Sequence, residues 1–482
     1  MASTIQETPS TSTLEKRNGS DDLAGDIEDP ESRKVLERKL VRKIDLRISI
    51  LVVIYILNFI DRSNAASARL RGFEEDLGLH GNQFATILAI YFVGYILMQV
   101  PSNMLLSYVK KPSWHLPGSM VIWGLISILT GVTKDFTGVL LCRFFLGFVE
   151  AAFFPGALLL LSRWYKREEM GLRTAILFCG LLVSLAFGSL IASGILDTMQ
   201  GKLGYAAWRW LYFIEGAITI AVAIIAIFIL PDFPENSSSW LSPAEQALAI
   251  QRMREDARHN LQGEHISEWV GFKMAISDWK IWWLSMTYAA IFLSISFNAY
   301  FPTLTATLGY NTTISLLLVA PPPIFISIVS FFYARHSDRT RERFWHIAFA
   351  FAVGIAGYII VISTMNRGAR YAGLFLVSCV SAGYIVFLAW ISNSIPEPPA
   401  KRAVGLAFMS AFAQLGAIGG SYIFPKNWGP TYRISFGISL GASGLVIVMC
   451  YIFKLHLESL NRKAQQEEEA RGQKEPGFRY LV

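Results

Sequence analysis

Five ionisable residues interrupt otherwise apolar sequence. Asp61 and Arg62 lie in Asn58-Phe59-Ile60-Asp61-Arg62-Ser63-Asn64, Arg143 and Glu150 in Arg143-x3-Gly147-x2-Glu150, and Glu215 in a later run. A charge in the middle of an apolar span costs about 2.5–3.5 kcal/mol on insertion scales, so each one needs a reason. Arg143, Gly147 and Glu150 are spaced i, i+4, i+7 and share one helix face. An arginine beside carboxylates can hold an internal carboxylate or release it for an incoming anion. A carboxylate that loses its arginine in a dry cavity takes up a proton. That exchange is the chemistry of proton-coupled anion movement. The competing expectation is a structural Arg143–Glu150 pair that only fixes helix packing. Residues Ile48–Ile60 supply too few apolar positions to cross a bilayer, which places Asp61 and Arg62 within a span rather than at its edge. Glu215 follows Trp208-Arg209-Trp210 closely and is expected to pair near the outer surface, as a structural group.

Weaker candidates are polar or aromatic residues in apolar runs. Tyr91 and Tyr95, at i and i+4, share a face that lines either a cavity or a packing seam. Asn298 and Tyr300 precede Pro302; Trp390 and Asn393 end one run; Gln414 sits in another. Pro321-Pro322-Pro323 is expected to break its span and mark a cavity wall. Glycines such as Gly147 are expected to serve close helix packing.

The elements that must position these residues follow from composition. Hydrophobic residues are 53% of the 482 and charged ones 16%, against about 25% charged in ordinary globular chains. The charge is gathered in short clusters between apolar runs of spanning length, which excludes a cytosolic enzyme, a disordered scaffold or a secreted disulfide domain. The +7 net charge flanks spans and is not a nucleic-acid signature. Cys142, Cys179, Cys379 and Cys450 lie within apolar runs and read as small hydrophobes, and no metal-ligand spacing is present. No P-loop, metal box or nucleophile elbow supports an enzyme or an ATP-driven pump.

The reading along the chain is an all-α membrane protein of twelve transmembrane helices in two six-helix halves. Residues 1–43 form a disordered cytoplasmic tail, helical near Glu31–Lys43; 44–231 the first half; 232–280 a cytoplasmic linker; 281–455 the second half; and 456–482 a cytoplasmic tail. In the linker, Ser242-Pro243-Ala244-Glu245 predicts a capping box and a short helix. Lys and Arg in the short loops lean only weakly to one side. The basic stretch Arg33, Lys34, Arg38, Lys39, Arg42, Lys43 decides the orientation, with both termini cytoplasmic. Of the sequons at Asn18, Asn236 and Asn311, only Asn311 is expected on the outer face, close to the membrane, as a glycosylation site.

The six-linker-six pattern carries Asp61-Arg62-Ser63-Asn64, Arg143-x3-Gly147-x2-Glu150-Ala151, Phe153-Phe154-Pro155-Gly156 and Trp164-Tyr165. It also carries Trp208-Arg209-Trp210-x4-Glu215-Gly216, Pro231-Asp232-Phe233-Pro234, Trp240-Leu241, Lys401-Arg402-Ala403 and Tyr432-Arg433. Together, over about 40–455, these resemble the anion:cation symporter branch of the major facilitator superfamily, and within it the fungal allantoate-permease-like group. The resemblance implies a fungal plasma-membrane importer of a small carboxylate, such as allantoate, nicotinate, pantothenate or biotin, moved with protons. No cofactor beyond the protons, no nucleic acid and a monomer in the bilayer are the corresponding expectations. By motif, Asp61 and Glu150 would take up protons, and Arg62 and Arg143 would pair with them and with the substrate. Tyr91, Tyr95, Asn298, Trp390, Asn393 and Gln414 complete the candidate binding set.

Two departures from the family pattern stand out. The loop after the second span, Ser107 to Trp114, lacks the family's acidic residue, whereas Arg335-His336-Ser337-Asp338-Arg339-x3-Arg343 keeps the second copy. Gating is therefore assigned to Asp338, Arg339 and Arg343. Gln414 stands where asparagine is common, which leaves substrate preference open. Two rival readings remain: an exporter of an acidic metabolite, and a non-transporting nutrient sensor.

Overall fold

The computed structural model describes residues 30–109, 111–237, 239–258, 268–395, 399–470 and 479–481. Among them there are helices and turns and no strand. The chain starts with α1 (Pro30–Ile48), followed without a loop by α2 (Ile50–Ala68). The rest of the first half is α3 (Gln83–Val109), α4 (Pro112–Val132), α5 (Phe136–Glu150), α6 (Phe153–Trp164), α7 (Arg167–Thr198) and α8 (Ala207–Ile229). The connecting segment holds α9 (Pro243–Arg258) and α10 (Glu268–Ile276). The second half is α11 (Trp279–Ser294), α12 (Phe301–Ala306), α13 (Thr312–Leu317), α14 (Pro321–Thr340), α15 (Phe344–Ser363), α16 (Arg367–Ser378), α17 (Val380–Ser394), α18 (Pro399–Ser421) and α19 (Arg433–Ala470).

Nine helical stretches in the described residues are long and apolar enough to cross a membrane; α5–α6, α11–α12, α13–α14 and α16–α17 each act as one stretch. Shorter apolar stretches lie in α3 (Gln83–Gln99) and α7 (Val183–Thr198). The interruptions have local causes. Pro321 is the first residue of α14, and the turn before it divides α14 from α13 within the eighth unit. In the seventh unit a 3-10 stretch, Ile295–Tyr300, separates α11 from α12, where Pro302 sits in the first turn. Polar caps start several helices, with Asp135, Asp278, Asn311 and Asn366 each accepting a backbone N–H. The Ser242/Glu245 capping box forms, Ser242 N donating to Glu245 at 3.0 Å and Glu245 N to Ser242 Oγ at 3.3 Å.

Lipid is as apolar as leucine, so close packing rather than a hydrophobic gradient joins such helices. Glycine permits that approach. A Cβ on Gly147 would stand 2.0 Å from the Tyr91 carbonyl oxygen, and one on Gly94 2.2 Å from that of Phe144, so α3 and α5 lie backbone against backbone. Gly416 meets the Ala289 carbonyl the same way at 2.0 Å, joining α18 to α11. Large apolar side chains point outward along the spans, among them Phe228, Phe332, Trp345 and Phe349, while Asp61, Arg143, Glu150 and Glu215 are buried. That inversion is what a multi-pass membrane protein requires.

The two faces of the bundle differ. On the face away from the chain ends, the halves are tied together. Lys426 bridges to Glu74 at 3.0 Å and Glu75 at 3.5 Å, and Glu74 also pairs with Arg69 at 2.7 Å. Tyr422 donates to Thr86 at 3.1 Å, Thr313 donates to Asp197 at 2.8 Å, and Phe84 meets Tyr300 edge-on. On the face carrying the chain ends, the ion pairs in the described residues stay within one half. There α9 docks on α1 and the first half through Arg33–Glu255, Lys43–Glu245 and Arg252 held by Glu37 and Glu169.

The linker and the described parts of the ends carry more structure than the sequence reading named. The stretch near Glu31–Lys43 belongs to a longer helix that runs to Ile48 and packs its Leu40 and Ile44 in the core. The linker carries two helices and is bound to the first half. The final segment is held too: α19 continues to Ala470, and Trp390 Nε1 donates to the Leu481 carbonyl at 2.9 Å.

Candidate functional site

Asp61 and Arg62 are neighbours on α2, so they leave it in different directions. Asp61 turns toward α4 and α8, where Ser127 Oγ and Thr219 Oγ1 donate to it at 3.2 and 3.1 Å. It makes no ion pair among the described residues and is 1% exposed. Arg62 turns toward α3, its guanidinium over the rings of Phe59, Tyr91 and Tyr95 at 4.5, 4.8 and 5.4 Å. Cation–ring contacts of this kind contribute about 0.5–2 kcal/mol each.

Glu150 closes α5 at the level of Tyr91, because Gly147 has let α3 come that close. The Tyr91 hydroxyl donates to Glu150 Oε2 at 2.6 Å, and Arg62 lies 3.6 Å from the same oxygen. Glu150 Oε1 is buried without a partner. The expected Arg143–Glu150 pair is therefore not what the structure contains; Arg62 has taken the carboxylate. Arg143, 1% exposed, donates to Tyr212 Oη at 2.9 Å and to the Arg62 carbonyl at 3.2 Å, both neutral acceptors. Its Nε is unpartnered and buried. Asp61 and Glu150 are within electrostatic reach of Arg143 and outside ion-pair distance. A guanidinium taken from water without a contacting anion keeps a penalty of several kcal/mol.

The other candidates divide. Tyr91 and Tyr95 flank Arg62 and belong to the cluster. Asn298, Asn393 and Gln414 are half-buried in the second half and have no contact with the Arg62–Glu150 group among the described residues. Trp390 is not at the cluster: it is fully buried against Phe453 and its indole holds the chain end. Asp338 pairs with Arg343 at 2.7 Å, and Arg343 also donates to Ser337 Oγ, while Arg339 is exposed and outside the pair. Asn311 is exposed, and its side-chain oxygen caps α13. Asn18 lies outside the described residues. Glu215 does not pair near the surface; it is buried, and Arg209 instead donates to the Gly131 and Thr133 carbonyls.

Sequence reasoning passed over Tyr55, Tyr212, Tyr288 and Tyr384. Tyr55 of α2 and Tyr95 of α3 stand within electrostatic reach of Tyr288 of α11 and Tyr384 of α17, whose hydroxyls are 2.9 Å apart. Hydroxyls from both halves thus meet beside the arginine cluster. Tyr288 and Tyr384 lie in apolar runs with no charged neighbour, and only pairing across helices marks them. Tyr212 was hidden the same way, as one aromatic among many.

An all-helical bundle with nine membrane-length stretches among the described residues, around buried charges, defines a polytopic membrane protein, and the family model for the Major Facilitator Superfamily matches residues 51–421. The chain belongs to that superfamily. It is 33% identical over 425 residues to the MFS-type transporter cnsO of Penicillium expansum, covering 85% of this chain and 81% of that one. It is 27% identical over 513 residues to the major facilitator-type transporter hxnP of Emericella nidulans, covering 100% and 99%. Among solved structures, a D-xylose–proton symporter superposes with a TM-score of 0.65 at 13% identity, over 85% of this chain and 97% of that one. A bacterial homologue of the human lysosomal transporter Spinster, inward-facing and occupied, gives 0.64 at 16%, over 85% and 95%. These likenesses show a shared fold.

Proposed function

We propose that this membrane transporter carries a small organic anion, a carboxylate, together with protons. The observation that carries the reading is Arg143: a buried guanidinium bonded to two neutral oxygens, with carboxyls near it but none upon it. An anion entering between the halves gives Arg143 its missing partner. The tyrosine hydroxyls of α2, α3, α11 and α17 are placed to donate to such an anion from both halves. Protons on Asp61 and Glu150 remove competing negative charge and leave Arg62 and Arg143 to the substrate. Loss of those protons returns Arg62 to Glu150 and expels the anion.

The cross-half ties of one face, and ion pairs that among the described residues stay within one half on the other, support alternating access by rocking of the halves. With both termini cytoplasmic, the closed face is the outer one, and the conformation opens inward. Location in the plasma membrane and net import follow the symporter resemblance. One proton per monoanion moves no net charge; a second draws on membrane potential, about 2.3 kcal/mol per charge per 100 mV.

The test is uptake of labelled nicotinate, pantothenate, biotin and allantoate into yeast lacking its own carriers, at acidic and neutral external pH, beside Glu150→Gln. Stronger accumulation at acidic pH, lost in the variant, is the expected result. No uptake of any member by protein shown to be at the cell surface would overturn the carboxylate reading and turn the search to export.

A further inference from the structure

Glu215 has no task in the scheme above. It sits on α8, 3% exposed, and neither carboxyl oxygen has a hydrogen-bond partner. Asn64 of α2 faces it without closing a bond of normal geometry, and the Asn64 amide nitrogen is itself buried and unpartnered. Asp61, one turn before Asn64, is the charged group within its reach. Tyr212, nearly one turn before Glu215 on α8, lies within reach of both carboxyls and receives the hydrogen bond from Arg143. Helices α4 and α7 also pack on α8, and among the described residues neither brings an ionisable group to Glu215.

A structural carboxylate would be paired or capped, because a bare one in an apolar interior is among the costliest groups a protein can bury. Two carboxyls within reach of each other in such a place do not both ionise; the pair keeps a proton and titrates as a unit. The geometry points to Glu215 as a third coupling residue: Asp61 and Glu215, with the Asn64 amide facing Glu215, form a carboxyl pair that carries one proton of the transport cycle. Proton exchange within it is balanced. The Asp61 acid and the Glu215 carboxylate become the Asp61 carboxylate and the Glu215 acid, with one O–H broken and one formed. The Ser127 and Thr219 hydroxyls hold the Asp61 carboxylate, and the bare Glu215 site holds the neutral acid. The charge of the pair sets the field at Arg143 through Tyr212. A protonated pair leaves Arg143 more positive toward an incoming anion, and that links proton uptake to substrate binding.

The inference rests on the proton-coupled reading, and the experiment separates the two. The purified chain is reconstituted, and the proton-to-substrate ratio is read from the reversal potential of uptake. Glu215→Gln is expected to move one proton fewer per anion and to flatten the pH profile, whereas Glu215→Asp keeps the wild-type ratio. A proton-coupled wild type with an unchanged ratio in Glu215→Gln overturns this inference alone; a wild type with no proton dependence overturns the parent reading. If Glu215→Gln fails to fold, labelling the wild-type chain with a hydrophobic carbodiimide decides. A neutral buried carboxyl gives a stable adduct, read by mass spectrometry of the Glu215 peptide and expected to fall as pH rises. Absence of any adduct at Glu215 across the pH range overturns the inference.

Discussion

Lys426 is the lone cation that the second half contributes to the ion pairs closing the face away from the chain ends, among the described residues, and reversing its charge should open that face. Its ammonium lies 3.0 Å from Glu74 and 3.5 Å from Glu75, with its side chain 68% exposed. Full-strength Coulomb energy does not apply at such exposure; an exposed pair contributes about 0.2–1 kcal/mol. Lys426→Glu removes that attraction and puts a third carboxylate beside Glu74 and Glu75, a repulsion of similar size. The sum, about 1–2 kcal/mol, corresponds to about a 5–30-fold change in the ratio of open to closed. Arg69 keeps its own bridge to Glu74 at 2.7 Å, so the fold of that region survives the change. The assay is maleimide labelling of Leu88→Cys, a buried position on α3 beneath Phe84, with a reagent that does not cross the membrane. Labelling should speed up in Lys426→Glu, and the difference should shrink in high salt, where screening acts over about 3 Å at 1 M. Equal labelling rates with and without the charge reversal would refute the reasoning: these ion pairs would then not hold the halves together.

Four further outcomes are expected. Gly147→Ala places a methyl 2.0 Å from the Tyr91 carbonyl oxygen, so α3 and α5 must separate; melting of the purified protein should fall by about 1–3 kcal/mol or more, with Glu150 drawn off Tyr91 and uptake lost. Tyr91→Phe removes the 2.6 Å bond to Glu150 Oε2 and leaves that oxygen to Arg62 alone, which should shift the pH profile of uptake by about one unit or less while sparing surface expression. Trp390→Phe loses the hydrogen bond to Leu481 but keeps its packing on Phe453; proteolysis of the chain end should quicken and transport should persist. Docking of α9 should weaken in acid. Its Glu255 is held below the ordinary carboxylate range by the hydrogen bond from Arg33, so its contribution is present above about pH 4.3 and lost as pH falls through the lowered value. Hydrogen exchange of α9 at falling pH reads this, and Arg33→Ala should remove the Glu255 share of the transition while the Lys43–Glu245 and Glu37–Arg252 shares persist.

How much was legible in the chain is clearest at α5. The i, i+4, i+7 spacing of Arg143, Gly147 and Glu150 does place them on one face, and Gly147 does serve close packing. The competing expectation of an Arg143–Glu150 pair does not match the contacts among the described residues, whereas Arg62, which the resemblance also pairs with a carboxylate, meets Glu150. Spacing along one helix says which residues can share a surface; it does not say what the next helix brings to that surface. Here α2 brings Arg62 to Glu150, and α8 brings Tyr212 to Arg143. Trp390 and Glu215 show the same limit from opposite sides. Trp390 looks like a cavity residue in its apolar run and proves to anchor the chain end. Glu215 looks like an interfacial group after Trp208-Arg209-Trp210 and proves to be bare in the core, because Arg209 spends its donors on α4 carbonyls and the loop after them.

The sequence by itself determined the membrane as solvent, the helical class and the buried charges, since runs of spanning length and the penalty on charge inside them are local properties of the chain. The capping box of the linker helix and the proline break before α14 were likewise local and appeared as expected. The tertiary structure decided which arginine meets which carboxylate, which tyrosines face one another across the halves, and which face of the bundle is closed. Those contacts join residues far apart in sequence, Tyr91 to Glu150 and Glu74 to Lys426, and their partners are fixed only when glycine-lined helices settle against each other at backbone distance.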